Sequence, residues 1–255
     1  MKNLTILLFL IIFPFLGMGF SESEAADTES QKSAGSGRKT LAIKGKLLFE
    51  DDFKTPIEYT KEFKEVKPGW KVKTAHAQWK QSGGKVESIY ESGHMPVLVY
   101  SGLFQDAVIE LDFRFFSEEG KWAACRISAT NPELNPRAYA ASVWANQDNK
   151  ARARGMVLEH DEWKPGVITT VDTLMATFKP GKWYTLRLEL VGNSARATCN
   201  GVTVYGTHEK FGIPKNSIYL GVGTCRHELR NFRVYEAKKN PKWIHHYAIQ
   251  NHSKH

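Results

Sequence analysis

What this chain has little of narrows it first. Cysteine is scarce: three residues in 255, Cys125, Cys199 and Cys225, an odd number that leaves at least one thiol free or linked to another chain. Their spacings match no zinc site, and they read as small buried strand residues rather than as nucleophiles. A disulfide between Cys199 and Cys225, near the ends of two expected strands, stays open. There is no convincing amphipathic helix and no repeat at a solenoid or propeller period. A serine nucleophile elbow, a P-loop, a dinucleotide fingerprint and a His-Glu-x-x-His pair are all missing. With them go the usual nucleotide and redox chemistries, so no cofactor and no metal is expected.

What is present suits one globular domain of the larger all-β size: 42% of residues are hydrophobic and 12% aromatic. Lys2 precedes an apolar run of 17 residues, Leu4–Phe20, followed by Ser23-Glu24-Ala25. That order reads as a signal peptide over residues 1–25, a retained membrane anchor being the rival reading. An exported protein at a periplasmic, surface or extracellular location follows. Residues 26–45, with Ser-Ala-Gly-Ser-Gly at 33–37, read as a flexible linker.

Net charge is +8, and from Arg226 to His255 there are seven Lys/Arg against two acids, with five of the nine histidines. The basic bias therefore gathers in a tail, residues 238–255, beyond a folded domain at 46–237. Such a tail suits an acidic envelope surface, and its place argues against a nucleic-acid partner for the domain.

Between those limits the period is two. In Lys179–Gly206, Tyr184, Leu186, Leu188 and Leu190 alternate with Thr185, Arg187 and Glu189. Gly192-Asn193 and Asn200-Gly201 then turn the chain twice. Asp106–Phe116 alternates Ile109, Leu111, Phe113 and Phe115 with Val108, Glu110, Asp112 and Arg114. Further strands are expected near Trp70–Val72, Ala77–Trp79, Lys85–Tyr90, Val97–Tyr100, Trp122–Ala129, Ala138–Ala145, Arg154–His160, Ile218–Gly223 and Leu229–Glu236. About a dozen short strands with turn signals predict an all-β fold, a two-sheet antiparallel jelly-roll sandwich.

Four pieces carry a resemblance: LLFEDDF with Trp70, DAVIELDFRF, FKPGKWYTLRLELVGNSARATCNGVTVYG, and LRNFRVYEA. Together, over about residues 46 to 237, they are similar to exported domains of planctomycete-type bacteria. Those belong to the concanavalin A-like lectin/glucanase (LamG-like) group, near the 3-keto-disaccharide hydrolase domain. The resemblance implies a bent sandwich whose concave face and loops receive a disaccharide or polysaccharide. It implies a carbohydrate-interacting domain that hydrolyses (3-keto-)glycosides in its enzymatic form. The alternative is a non-catalytic envelope or matrix module.

Glu110 and Asp112 share a face, but the next position is Arg114, which breaks a Glu-x-Asp-x-Glu triad and favours a charge ladder with Arg187 and Glu189. Glu50-Asp51-Asp52 is a weak cation candidate, since neighbours on a strand face opposite ways. The cluster Glu159-His160-Asp161-Glu162-Trp163 joins acids, an imidazole and an indole. His160 and Asp161 are the expected catalytic proton carriers. Trp144, Trp163 and Arg126 are the expected substrate contacts, with Trp122 and Tyr139 extending the platform and His94 a weaker candidate.

Overall fold

The computed structural model describes residues 40–91, 93–133, 139–161 and 167–243. The expected leader at residues 1–25, most of the expected linker, Trp163 and the tail from residue 244 lie outside the described residues. In chain order the strands are β1 Ala42–Asp51, β2 Lys64–Lys67, β3 Trp70–Ala75, β4 Ala77–Ser82, β5 Lys85–Tyr90, β6 Val97–Phe104, β7 Ala107–Phe115 and β8 Ala124–Thr130. There follow β9 Ala141–Asn146, β10 Gly155–Asp161, β11 Ile168–Leu174, β12 Tyr184–Val191, β13 Ser194–Cys199, β14 Val202–Thr207, β15 Lys215–Val222 and β16 His227–Lys239. Among the described residues a 3-10 turn, Glu209–Gly212, lies between β14 and β15.

The strands form two eight-stranded sheets, ordered β14-β13-β12-β7-β16-β5-β4, with β1 also on β16, and β11-β10-β9-β8-β15-β6-β3-β2. Every pairing is antiparallel. The long β16 meets β5 through Glu228 and Leu229, and meets β1 through Phe232 to Lys239. The predicted jelly-roll sandwich is what forms. The sheet takes in chain on both sides of the expected limits, since β1 begins at Ala42 and β16 ends at Lys239.

Alternation builds the core. Ile109, Leu111 and Phe113 of β7 and Leu186, Leu188 and Leu190 of β12 turn inward to meet Leu98, Ile127, Val143, Leu158 and Leu220 of the second sheet. A buried Phe, Leu or Ile contributes about 1.5–3 kcal/mol, and such residues fill the interface between the sheets. The Asn200-Gly201 turn has φ of 51° and 78°, both left-handed, which the tight hairpin requires and Asn-Gly tolerates. All three cysteines are buried and free, so the Cys199–Cys225 pairing is not made.

On the outer face of the first sheet the expected ladder is present: Arg187 meets Glu110 at 3.1 Å and Glu189 at 2.9 Å. Arg114 turns instead to Glu228. Asp51 gives one oxygen to the Phe53 amide at 2.8 Å and the other to Tyr100 Oη at 2.8 Å, which spends it on the fold rather than on a cation.

Candidate functional site

The second sheet has two clothed faces. One is the core; the other carries a separate buried cluster of Met95, Val97, Val99, Ala124, Trp144 and Val157. Register defines that outer face. Arg126 of β8 stands opposite Trp144 of β9, and Trp144 opposite Val157 of β10. One rung on, Ser128 faces Ser142 and Ser142 faces Glu159. Asp161 follows two residues after Glu159 and so takes the same face.

Polar side chains crowd this face. The Arg126 guanidinium lies 4.9 Å from the centre of the Trp144 ring and 4.6 Å from that of Tyr139. It donates through Nη2 to Tyr139 Oη at 3.2 Å. Arg152, from the β9–β10 loop, also covers Trp144 at 5.2 Å. Glu159 binds both neighbours: it accepts from Trp144 Nε1 at 2.6 Å and pairs with Arg152 Nε at 2.9 Å. Ser128 and Ser142 share a hydrogen bond of 2.9 Å. Gly221 of β15 leaves room here, since a Cβ would sit 3.3 Å from Arg126 Nε and 2.7 Å from Met95 Cε.

Two polar atoms are left over. Arg126 and Asp161 are each 5% exposed, and among the described residues Arg126 Nε and Asp161 Oδ1 are buried without a hydrogen-bond partner. Burial pushes the Asp161 carboxyl above its ordinary range, against the pull of the Tyr139 backbone contact. A polar atom left so inside a protein costs about 1–3 kcal/mol unless something meets it.

Several expected residues meet here and others do not. Arg126 and Trp144 stand side by side, and Asp161 shares their face. His160 does not. As the next residue back on a strand it faces the core side, where its ring stacks on His208 at 3.8 Å and meets Phe211 edge-on at 6.2 Å. The expected His160–Asp161 pair is thus divided by the pleat. Trp144 departs from expectation too: two guanidinium groups and Glu159 occupy its surroundings, so it holds the site's charges rather than offering a bare ring. Tyr139, expected to extend the platform, lies before β9 and turns its ring to Arg126 and to Tyr219, 5.5 Å away. Glu159 and Arg152 were missed as partners. The signal was the shared face of Trp144, Ser142 and Glu159, which needs the β9–β10 register. His94 meets His76 in a tilted ring pair, centroids 4.5 Å apart. Among the described residues no group of three or more His, Cys, Asp or Glu is placed to hold a metal.

Residues 63–235 match the family described as the 3-keto-alpha-glucoside-1,2-lyase-like domain. The chain belongs to that family. The match covers the second sheet, the first sheet except β1 and the end of β16, and every residue of the polar face just described. No curated protein sequence matches the chain.

Solved structures show the same fold at low identity. The carbohydrate binding module CBM66 from Bacillus subtilis matches at 11% identity and TM-score 0.50, over 66% of this chain and 96% of that one. LamAcat from Zobellia galactanivorans matches at 11% and 0.52, over 75% and 98%. The Bacillus licheniformis beta-glucanase matches at 10% and 0.51, over 76% and 99%. The lyase-like domain therefore shares the sandwich of the lectin/glucanase group. Fold alone does not assign an activity within it.

Proposed function

We propose that this protein binds glycosides whose glucose unit carries a ketone at C3 and breaks their C1–oxygen bond by elimination across C1 and C2, working outside the cytoplasm. Family membership supports the substrate class, and the leader-like residues 1–25 support the location. The single observation that carries the chemistry is Asp161: a buried carboxylate, one oxygen unpaired, its proton affinity raised by burial.

A ketone at C3 acidifies the hydrogen on C2. Asp161 takes that proton, and the C2–H electrons pass into the C2–C3–O system as an enolate. The enolate collapses, C1=C2 forms, the C3 ketone returns and the C1–oxygen bond breaks. The proton on Asp161 passes to the departing oxygen, so the step needs no co-reactant. Water added later across C1=C2 gives net hydrolysis, which is how a hydrolase reading and a lyase reading of one family coincide. A base so placed is worth about 10²–10⁴ in rate. His160 has no part in this, because it faces the core.

The test is a 3-keto-disaccharide bearing deuterium at C2. Release of the second sugar with loss of the deuterium to solvent, reduced about 100-fold or more in Asp161→Asn, is the expected result. Release with the deuterium retained overturns elimination in favour of direct hydrolysis. Turnover unchanged in the variant removes Asp161 from the step. No release from any keto or plain glycoside shifts the protein to the non-catalytic binding or scaffold reading.

A further inference from the structure

The charges on the polar face are unevenly paired, with Asp161 at one end and Arg126 at the other. Two guanidinium groups attend the Trp144 ring. Arg152 is neutralised by Glu159 at 2.9 Å. Arg126 is not: its contacts are two aromatic rings and one phenol oxygen, and among the described residues no carboxylate pairs with it. The Arg126–Arg152–Glu159 group thus carries one net positive charge, under a surface that leaves Arg126 5% exposed. A buried cation without an anion is costly, and ring faces offset only part of that cost. Its free Nε–H lies on the guanidinium edge that matches the two oxygens of a carboxylate.

Position adds a second constraint. Asp161 is four residues along β10 from Val157, which shares the rung of Trp144 and Arg126. That is about 13 Å of strand. The gap suits a substrate of more than one ring, with the reacting unit at Asp161 and the next unit at Arg126. Ser128, Ser142 and Glu159 lie between them.

We propose that Arg126 binds a carboxylate on the unit of the substrate that does not carry the ketone, so that the preferred glycoside is acidic. This rests on the reading that the outer face of the second sheet is the glycoside site. It adds the class of the second sugar or aglycone: a uronic acid or a comparable carboxylate. Met95, whose methyl lies on the same patch, is the side chain such a unit would press against.

Binding of non-keto probes, which cannot be turned over, tests this apart from the elimination. Calorimetry on the intact protein would compare methyl glucuronide, methyl glucoside and glucose 6-sulfate. The expected result is glucuronide bound about tenfold or more tighter than glucoside, with the preference shrinking as salt is raised. Arg126→Met should erase the preference, and Arg126→Lys should keep part of it. Equal binding of glucuronide and glucoside by the unaltered protein overturns the proposal, whether or not the variants fold. So does a preference that survives Arg126→Met. Sulfate bound as well as or better than carboxylate overturns the carboxylate assignment. A glucuronide preference in a protein that cleaves no keto-glycoside sinks the elimination and keeps this inference; cleavage of a neutral keto-disaccharide with no such preference does the reverse.

Discussion

Asp161 and His160 are neighbours in sequence with opposite surroundings, and that contrast makes predictions at the scale of single residues. With the Asp161 carboxyl held above its ordinary range by burial, the acid limb of kcat/KM for a keto-glycoside should fall at a higher pH than an exposed carboxylate gives. A limb at the ordinary carboxylate pH would exclude Asp161 as the titrating base. His227 is buried beside Cys225, its Nδ1 2.8 Å from the Cys225 carbonyl, and desolvation drives its pKa down to about 4. A folded pKa below the unfolded one means that the unfolded chain takes the proton first. Stability from this group is full above about 6.5 and is lost as pH falls toward 4, by about 3 kcal/mol in all. Urea midpoints across that range should decline, and His227→Gln should flatten the decline. Lys215 is wholly buried and donates Nζ to the carbonyls of Phe211 at 2.6 Å, Ile213 at 2.8 Å and Gln105 at 3.3 Å. Lys215→Met strands three acceptors and should cost about 2–4 kcal/mol by chemical denaturation, with substrate specificity unchanged.

At the scale of the strand, period-two alternation was readable wherever one face met the core. β7, β12, β13 and β14 fall where Ile109, Leu111, Phe113 and the Tyr184–Leu190 series place them. β11 was missed, and its composition explains why: Ile168 to Leu174 is largely exposed, so no apolar phase marks it. It forms because β10 offers hydrogen bonds, with a register shift at Leu158/Glu159. β8, β9 and β10 present the reverse case, since they are buried on both faces and small residues replace the expected alternation. Gly221 on β15 belongs to this level. Gly221→Ala would put a methyl 3.3 Å from Arg126 Nε. It should weaken glucuronide binding about tenfold or more while moving the thermal midpoint little, because Met95 is flexible and can yield. An unchanged affinity would show that Arg126 is not held by that gap.

Over the whole molecule, two sheets divide the labour. The first sheet turns a charge network outward: Glu189 is fully buried and accepts from Arg187, Arg196 and the Ala42 amide, each at 2.9 Å. That amide belongs to β1, so Glu189 ties the first strand to the sheet. After β16, Trp243 lies 5.8 Å from Tyr205 with the Arg196 guanidinium 5.5 Å above it, which docks this part of the chain. Glu189→Gln should loosen both ends, lowering stability by about 3–5 kcal/mol because two arginines lose their shared anion. Faster amide exchange over residues 42–45 would report it, and unchanged exchange there would count against the tie.

The sequence alone determined the class of fold, most of the strands and the membership of a family, because alternation, turn residues and the PG-W-x-x-L hairpin are local. Phase along their strands also pointed to Trp144 and Arg126 as candidates, while Asp161 was proposed from the residue types clustered at Glu159–Trp163. Only the tertiary structure decided which faces meet. His160 left the site because adjacent strand residues point apart. Glu159 and Arg152 entered it because β9 and β10 pair in one register. The unpaired charge of Arg126 appears only when all its neighbours are known, for it is a sum over strands far apart in the chain, and no local pattern records such a sum.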